Sequence, residues 1–308
     1  PDKDEPFVLF VSFIAPHFPL IVPEEYFNLY KNYSIPSIKK FNPELKDHPW
    51  WRAFNDCYTF DRYFTDDDHR KVAIISYMGL CTFVDNLIGK VLDSLNDHGF
   101  SNETNILFLS DHGENLGARG LWGKSVMYEE AVGIPMLLSG PKVGHKNVVK
   151  TPVSLIDVFP TILDAFNLTN PDDNPGRSLF NIADEKDDKD RLVFSEYHGA
   201  GSISGAYMLR DGEYKYIHYV DCEPELYNLE RDPEELNNLA GKTDYQKILT
   251  YYAEKLYSIL DPKSVNSEAL LDQAELIKRN GGVDKVLNRG GLNGTPVPEN
   301  RPLQVDPY

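Results

Sequence analysis

The stretch LFLSDHGENLGARGLWGKS, Leu107 to Ser125, decides how the chain is read. A short apolar run stops at Asp111-His112-Gly113, a glycine-punctuated loop follows, and Lys124 closes it. In open α/β sheets ligands gather beyond the carboxyl ends of strands. An acid beside an imidazole offers an oxygen and a nitrogen to a divalent cation, although the same pair can simply cap the next turn. His17 stands at a similar place after PFVLFVSFIAP, and the glycine loop can return Lys124 to the strand end. Taken singly, His17 between prolines reads as structural and Lys124 as a surface lysine. Placed together at two strand ends, they suit an anionic substrate oxygen or a leaving group that needs a proton. That combination fits hydrolysis of a phosphate or sulfate ester.

Working outward, PFVLFVSFIAPH predicts a buried strand stopped by Pro16. Residues 23 to 69, rich in Pro, Asn, Asp and aromatics, read as an irregular surface excursion. From His69 to Phe100 apolar residues recur at three- and four-residue steps, a helix that Gly99 should end. TNILFLS and IPMLLSG predict strands, and SLIDVFPTILDAFNL a helix opened by Ser154. Alternating helices and near-continuous apolar strands predict an α/β fold, with a large mixed or mostly parallel sheet between helices. From about Arg191 the strands shorten: RLVFSEY, GAYMLRDG with an Asp211-Gly212 turn, and YKYIHYV. A helix from about Tyr245 to Leu260 follows. The expected division is therefore an α/β unit over 1–190, a small antiparallel α+β subdomain over 191–260, and a helical segment with an extended tail over 261–308.

The 308 residues are 41% hydrophobic, and 48 acidic against 31 basic residues give a formal charge of −17. The acidic excess is spread along the chain, which argues against nucleic acid as a partner. No unbroken apolar run of about 18 residues is seen, so no membrane span or membrane partner is expected. Cys57, Cys81 and Cys222 show no paired spacing and read as small core residues. The opening PDKDEPFVLF reads as the inside of a longer protein, leaving the compartment, cytoplasmic or periplasmic, undecided.

At these residues the chain resembles the sulfatase family of the alkaline-phosphatase superfamily. The resemblance is carried by APHFPL (15–20), Ser110–Gly113, the Gly-x-Trp-x-Lys step 120–124, the segment from Glu130 to Leu137, and VSLIDVFPTILDAF and LRDGEYKYIHYV with PELYNLERDPEELNNLA. SDHGENLG and SEYHGAGS place it nearest choline-sulfatase-like and arylsulfatase-like members. The resemblance implies an alkaline-phosphatase-like fold and hydrolysis of a small-molecule or saccharide sulfate ester. It implies Asp111 and His112 as ligands of Ca2+ or another divalent cation. Lys124 and His17 would be both catalytic and substrate-binding, and His198 would line the substrate pocket. Glu114, Asn115 and Arg119 share the loop and either touch substrate or form a solvated face. A homo-oligomer is left open.

The family's formylglycine, made from Cys or Ser in a C/S-x-P-x-R motif, has no counterpart in these residues: Ser34 in SIPSIKK lacks the arginine, and no cysteine fits. The resemblance thus places the formylglycine outside this chain and implies that these residues alone are inactive. Other readings are a phosphonate monoester or phosphodiester hydrolase of the same superfamily, a zinc nucleotide pyrophosphatase, and a pseudoenzyme or binding module. The lysine step speaks against the zinc version.

Overall fold

The computed structural model describes residues 5–35, 38, 48–58, 60–144 and 148–288. In chain order it contains α1 (Glu24–Tyr30), α2 (Pro49–Cys57), α3 (Asp67–Asp97), β1 (Ile106–Leu109), α4 (Glu129–Val132), β2 (Met136–Ser139), α5 (Val158–Ala165) and α6 (Leu179–Asp184). Then come β3 (Val193–Tyr197), β4 (Ala206–Arg210), β5 (Tyr214–Tyr219), β6 (Glu225–Asn228), α7 (Gln246–Ile259), α8 (Pro262–Arg279) and α9 (Val283–Leu287).

The long helix forms where periodicity places it. The Asp66 carboxylate accepts the His69 N–H at 2.8 Å, and Asp67 and Asp68 lie in the first turn, where the helix dipole favours negative charge. Gly99 leaves the helix at φ 76°, in the left-handed region that glycine adopts without strain. Helix α1 lies against α3: Tyr30 Oη and Thr82 Oγ1 are 2.6 Å apart, and a Cβ on Gly79 would stand 3.1 Å from the Tyr26 carbonyl. Over 18 residues α3 reaches a mean hydropathy of 1.5, long and apolar enough by composition to cross a membrane. That corrects the expectation that no such stretch exists. Polar residues such as Ser76 and Asn86 interrupt the run but do not cancel its average. A core-facing helix passes the same test, and a third of this window is buried.

Both described sheets are antiparallel. β1 pairs with β2, Ile106 opposite Ser139 and Leu109 opposite Met136. The second sheet has the order β3-β4-β5-β6. Helices accompany these sheets, but the expected mostly parallel sheet is not seen among the described residues. The run Phe7–Ile14, expected as a buried strand, lies outside any strand, and Phe10 is 85% exposed. An apolar run becomes a strand only where a neighbouring backbone meets its N–H and C=O groups, and no described strand pairs with this one. The excursion over 23–69 is more regular than expected, since α1 and α2 lie within it. The tail beyond Asn288 lies outside the described residues.

The second sheet is buried on both faces, and strand alternation divides its side chains. Ala206, Met208, Ile217, Tyr219 and Tyr227 pack with Trp50, Trp51, Phe54, Leu121 and Tyr128. Tyr207, Leu209, Tyr216 and Leu226 face the other way, onto Tyr252 and Leu256 of α7. One core thus draws from both sides of residue 191. Cys57 and Cys81 are exposed, which corrects their reading as core residues, whereas the half-buried Cys222 packs against the first face of this core. Their neighbours are larger aromatics, which exclude more water per residue.

Two charged side chains are sealed inside the first face. Glu225, fully buried, accepts from Trp51 Nε1 at 3.0 Å, Tyr219 Oη at 3.1 Å, Tyr128 Oη at 2.8 Å and Tyr227 Oη at 2.6 Å. Lys215 Nζ lies 2.7 Å from both Glu129 Oε1 and Glu235 Oε1 and donates to the Met127 carbonyl at 3.0 Å. Burial pushes the Glu235 carboxyl up against the pull of Lys215. Burial opposes ionisation of Glu129 too, but Lys215 and Arg210 outweigh it and hold that carboxyl low.

A second anchor lies at the start of α3. Asp61 receives Arg70 Nε and Nη2 at 2.9 and 2.8 Å and Trp122 Nε1 at 2.9 Å, tying the 60–63 turn to the glycine loop. The Arg70 hydrogen bonds pull the Asp61 carboxyl below the usual range, burial opposes them, and Trp122 adds to the pull.

Lys215→Met should lower unfolding free energy by about 3–5 kcal/mol in denaturant titrations, because the fully buried Glu235 and the part-buried Glu129 both lose their nearest cation. Asp61→Asn should cost about 1–2 kcal/mol near neutral pH, the lower range suiting a partly exposed pair. A depressed folded-state pKa gives stability that is present above the ordinary carboxylate value and lost as pH falls through the folded one. The gap between Asp61→Asn and the unsubstituted chain should therefore close below about pH 4, read as converging melting temperatures.

Candidate active site

β1 ends at Leu109, and the backbone turns at once. Ser110 Oγ donates to the His112 carbonyl at 2.7 Å, and the His112 N–H donates to Asp111 Oδ1 at 3.0 Å. Gly113 is required here by close approach: its N–H donates to the Ala131 carbonyl at 2.8 Å, and a Cβ would lie 2.0 Å from the Glu130 carbonyl oxygen. The loop then closes on itself. The Asn115 N–H and Nδ2 both donate to the Gly123 carbonyl, at 2.8 and 2.7 Å. Glu114 Oε1 accepts the Gly123 N–H at 2.5 Å and the Leu116 N–H at 3.2 Å. Gly123, at φ 81°, reverses the chain and delivers Lys124.

The delivery point is His17. Lys124 Nζ lies 2.5 Å from His17 Nε2, and the His17 and His112 rings meet edge to face at 5.9 Å. The His17 Nδ1–H donates to the Phe18 carbonyl at 2.8 Å, so Nε2 is the lone-pair position and accepts from the ammonium. Burial pulls the Lys124 pKa down, while the carboxylates of Glu114 and Asp111 pull it back up. The pair thus holds a proton on the Nζ–Nε2 line in a partly desolvated place. Three of the expected residues, His17, His112 and Lys124, therefore come together, and Asp111 adjoins them.

The donor set also has the chemistry for a cation. His112 Nδ1 pairs with the Gly113 carbonyl at 2.8 Å, which leaves Nε2 as the lone-pair nitrogen, and that atom lies 3.7 Å from Asp111 Oδ2. The Asp111 side chain is 83% exposed, so a carboxylate and an imidazole nitrogen are presented side by side. Among the described residues no group of three or more His, Cys, Asp or Glu side chains converges, so the fit is that of two ligands and not of a full shell.

The other expectations fare differently. Asn115 and Arg119 are each 3% exposed, so neither forms a solvated face. Arg119 is turned inward: Nη1 donates to Glu130 Oε2 at 2.9 Å, Nη2 to the Glu234 carbonyl at 2.7 Å, and its guanidinium lies 4.0 Å from the Tyr128 ring centre. Loop closure explains this, since a nine-residue turn with paired ends presses its middle onto the core. His198 has its ring 5.3 Å from that of Tyr207 and Nε2 3.6 Å from Glu196 Oε2. Its carbonyl accepts from Gln273 of α8 at 2.8 Å. These contacts set it against β4 and α8.

Asp61, which steadies the loop through Trp122, is not marked by any pattern in FDRY; the one signal for it is the tryptophan of the Gly-x-Trp-x-Lys step, whose buried indole N–H needs an acceptor. A cavity of about 420 Å³ between β5 and α7, lined by Tyr216, His218, Leu249 and Tyr257, contains none of these residues. Chemistry, and not hollow volume, marks the site.

A family model described as Sulfatase matches residues 1–168, and one described as N-sulphoglucosamine sulphohydrolase, C-terminal, matches residues 117–261. Arylsulfatase K of Danio rerio is 33% identical over 236 residues, covering 71% of this chain and 45% of its own. The arylsulfatase of Clostridium perfringens (strain 13 / Type A) is 29% identical over 283 residues, covering 90% and 57%. Among solved structures, the phosphonate monoester hydrolase of Silicibacter pomeroyi superposes with a TM-score of 0.65 at 26% identity, covering 79% of this chain and 53% of that one. BT4656, in complex with its substrate D-glucosamine-2-N,6-O-disulfate, gives 0.55 at 30% identity, covering 63% and 42%. The chain spans about half the length of the curated relatives it matches. With a family model over more than half of its residues and the Asp111-His112, His17 and Lys124 geometry at the predicted strand end, the chain belongs to the sulfatase family.

Proposed function

We propose that the full-length protein hydrolyses a sulfate monoester, small-molecule or saccharide, and that this chain supplies His17, Lys124, Asp111 and His112 to its active site. The observation that carries the reading is the 2.5 Å contact between Lys124 Nζ and His17 Nε2 beside the His112 ring. Members of this family use a divalent cation, which neutralises charge on sulfate oxygens, and a formylglycine, which provides the nucleophile. Asp111 Oδ2 and His112 Nε2 are the atoms that would hold such a cation, and calcium is the ion we assign.

Lys124 and His17 do the rest of the work assigned to this chain. The ammonium neutralises a sulfate oxygen, and its desolvation strengthens that attraction. As the ester bond breaks, negative charge gathers on the leaving oxygen. A proton from the Lys124–His17 pair meets it, and the imidazole keeps the pair together through its fixed Nδ1–H bond to Phe18. A second reading, phosphonate monoester hydrolysis, is favoured by the likeness to the Silicibacter pomeroyi enzyme. The same pair would serve a phosphonate oxygen.

The deciding assay gives the full-length protein 4-nitrophenyl sulfate, choline sulfate, bis-4-nitrophenyl phosphate and a phosphonate monoester. Calcium, manganese and zinc are tested separately, with a formylglycine-generating enzyme co-expressed. Sulfate release sustains the proposal; phosphonate or phosphodiester cleavage without it moves the protein to the second reading. Lys124→Ala should lower kcat on the sulfate ester by about 10²–10³. Its melting temperature should stay nearly unchanged, since a pocket lysine contributes little to stability. Unchanged turnover would remove Lys124 from the site.

A further inference from the structure

We infer that Asn102 and Asn167 are N-glycosylation sites, so that the full-length protein passes through the lumen of a secretory compartment. The pattern Asn-x-Ser/Thr, in which x is not proline, is the acceptor for an N-linked glycan. It stands at Asn102-Glu103-Thr104 and at Asn167-Leu168-Thr169. It recurs at Asn32-Tyr33-Ser34 and at Asn293-Gly294-Thr295, the last outside the described residues. So short a pattern also arises by chance, and the place of each copy in the fold has to decide. The inference goes beyond the sulfate-ester reading and does not depend on it.

A folded protein carries a glycan only where the asparagine reaches water. Asn102 is exposed on the turn that follows α3, and Asn167 is exposed on the turn that ends α5. The two turns are linked. β1 begins at Ile106, just after the first turn, with Ser139 of β2 opposite it. Beyond β2, the Lys142 N–H donates to Asn105 Oδ1 at 3.3 Å and Lys142 Nζ donates to the Asp164 carbonyl at 2.8 Å. That same carbonyl accepts the Asn167 N–H at 3.0 Å. Both asparagines thus stand at the amino end of β1, whereas Asp111, His112, His17 and Lys124 gather at its carboxyl end. Roughly 10 Å of strand, at about 3.3 Å per residue, separates the two ends. Glycans at this pole leave the approach to Lys124 open.

The needs of the fold explain only half of each pattern. Asn167 has φ 55°, a left-handed conformation that asparagine tolerates better than most residues. Thr104 Oγ1 donates to the Phe100 carbonyl at 2.9 Å. Neither point accounts for Asn102 or Thr169, whose exposed side chains have no hydrogen-bond partner among the described residues. The acceptor pattern accounts for all four.

The co-reactant is an oligosaccharide joined through its C1 to a lipid pyrophosphate, delivered by a transferase of the compartment. Asparagine Nδ2 attacks C1, and a C–N bond forms as the C1–O bond to the pyrophosphate breaks. The lipid pyrophosphate leaves with the electron pair, and one Nδ2 proton passes to a base on the transferase. Nothing is oxidised or reduced.

The test uses the full-length protein with its natural N-terminal segment and no added leader, made in eukaryotic cells. Peptide-N-glycosidase F cleaves the sugar–amide bond and leaves aspartate where a glycosylated asparagine stood. Peptide mass spectrometry should therefore find aspartate at positions 102 and 167 after the enzyme and not before it. Asn102→Gln and Thr169→Ala should each remove one glycan's step in gel mobility. Thr104→Ser and Thr169→Ser, which keep the pattern, should each retain that step. Unmodified asparagine at either position, or a mobility unchanged by Asn102→Gln or by Thr169→Ala, would overturn the assignment.

Discussion

The ammonium of Lys215 lies wholly out of water; it donates to the Met127 carbonyl and forms ion pairs with the carboxylates of Glu129 and Glu235. A lone buried cation would cost several kcal/mol. The lysine stands on β5 and its partners come from the α4 region and from the segment after β6, so satisfying this one charge fixes three pieces of chain relative to one another. Arg119 extends the same network through Glu130, and Glu235 Oε2 accepts the Glu129 N–H at 2.8 Å. The glycine loop that carries Lys124 is thereby fastened to the C-terminal sheet from below.

The candidate site inherits its geometry from that fastening. Gly113 can touch the Glu130 carbonyl only because α4 is held where it is, and this contact sets the angle at which Asp111 and His112 leave β1. Asp61 secures the other flank by binding Trp122, one turn before Lys124. Between the two anchors the loop has little freedom, which is the condition for a lysine to meet an imidazole at hydrogen-bond distance with both side chains oriented in advance.

Much of this was legible in the residues. The α3 periodicity, the Gly99 stop, the apolar runs of β1 and β2 and the Asp211-Gly212 turn all appear where local chemistry puts them. Asp111-His112 at a strand end and Lys124 after glycines were also visible, because strand ends and glycine turns are local features. Less legible were the strand expected over Phe7–Ile14 and the parallel sheet. Hydrophobicity says that a segment avoids water but not which backbone it will pair with. The same gap hid the fate of Arg119, a loop arginine drawn inward by carboxylates distant in sequence.

By itself the sequence determined the local units: which segments coil, where they stop, and that an acid, two imidazoles and an amine stand beside glycine-rich turns. These follow from backbone preference and side-chain period, which act over a few residues. The tertiary structure alone decided that Lys124 reaches His17, 107 residues away, and that Trp122 finds its acceptor in Asp61. It also decided that Lys215 and Glu225 are interior charges. Such outcomes depend on which distant partners can satisfy a buried donor or acceptor. That matching is settled only when the whole chain has closed around it.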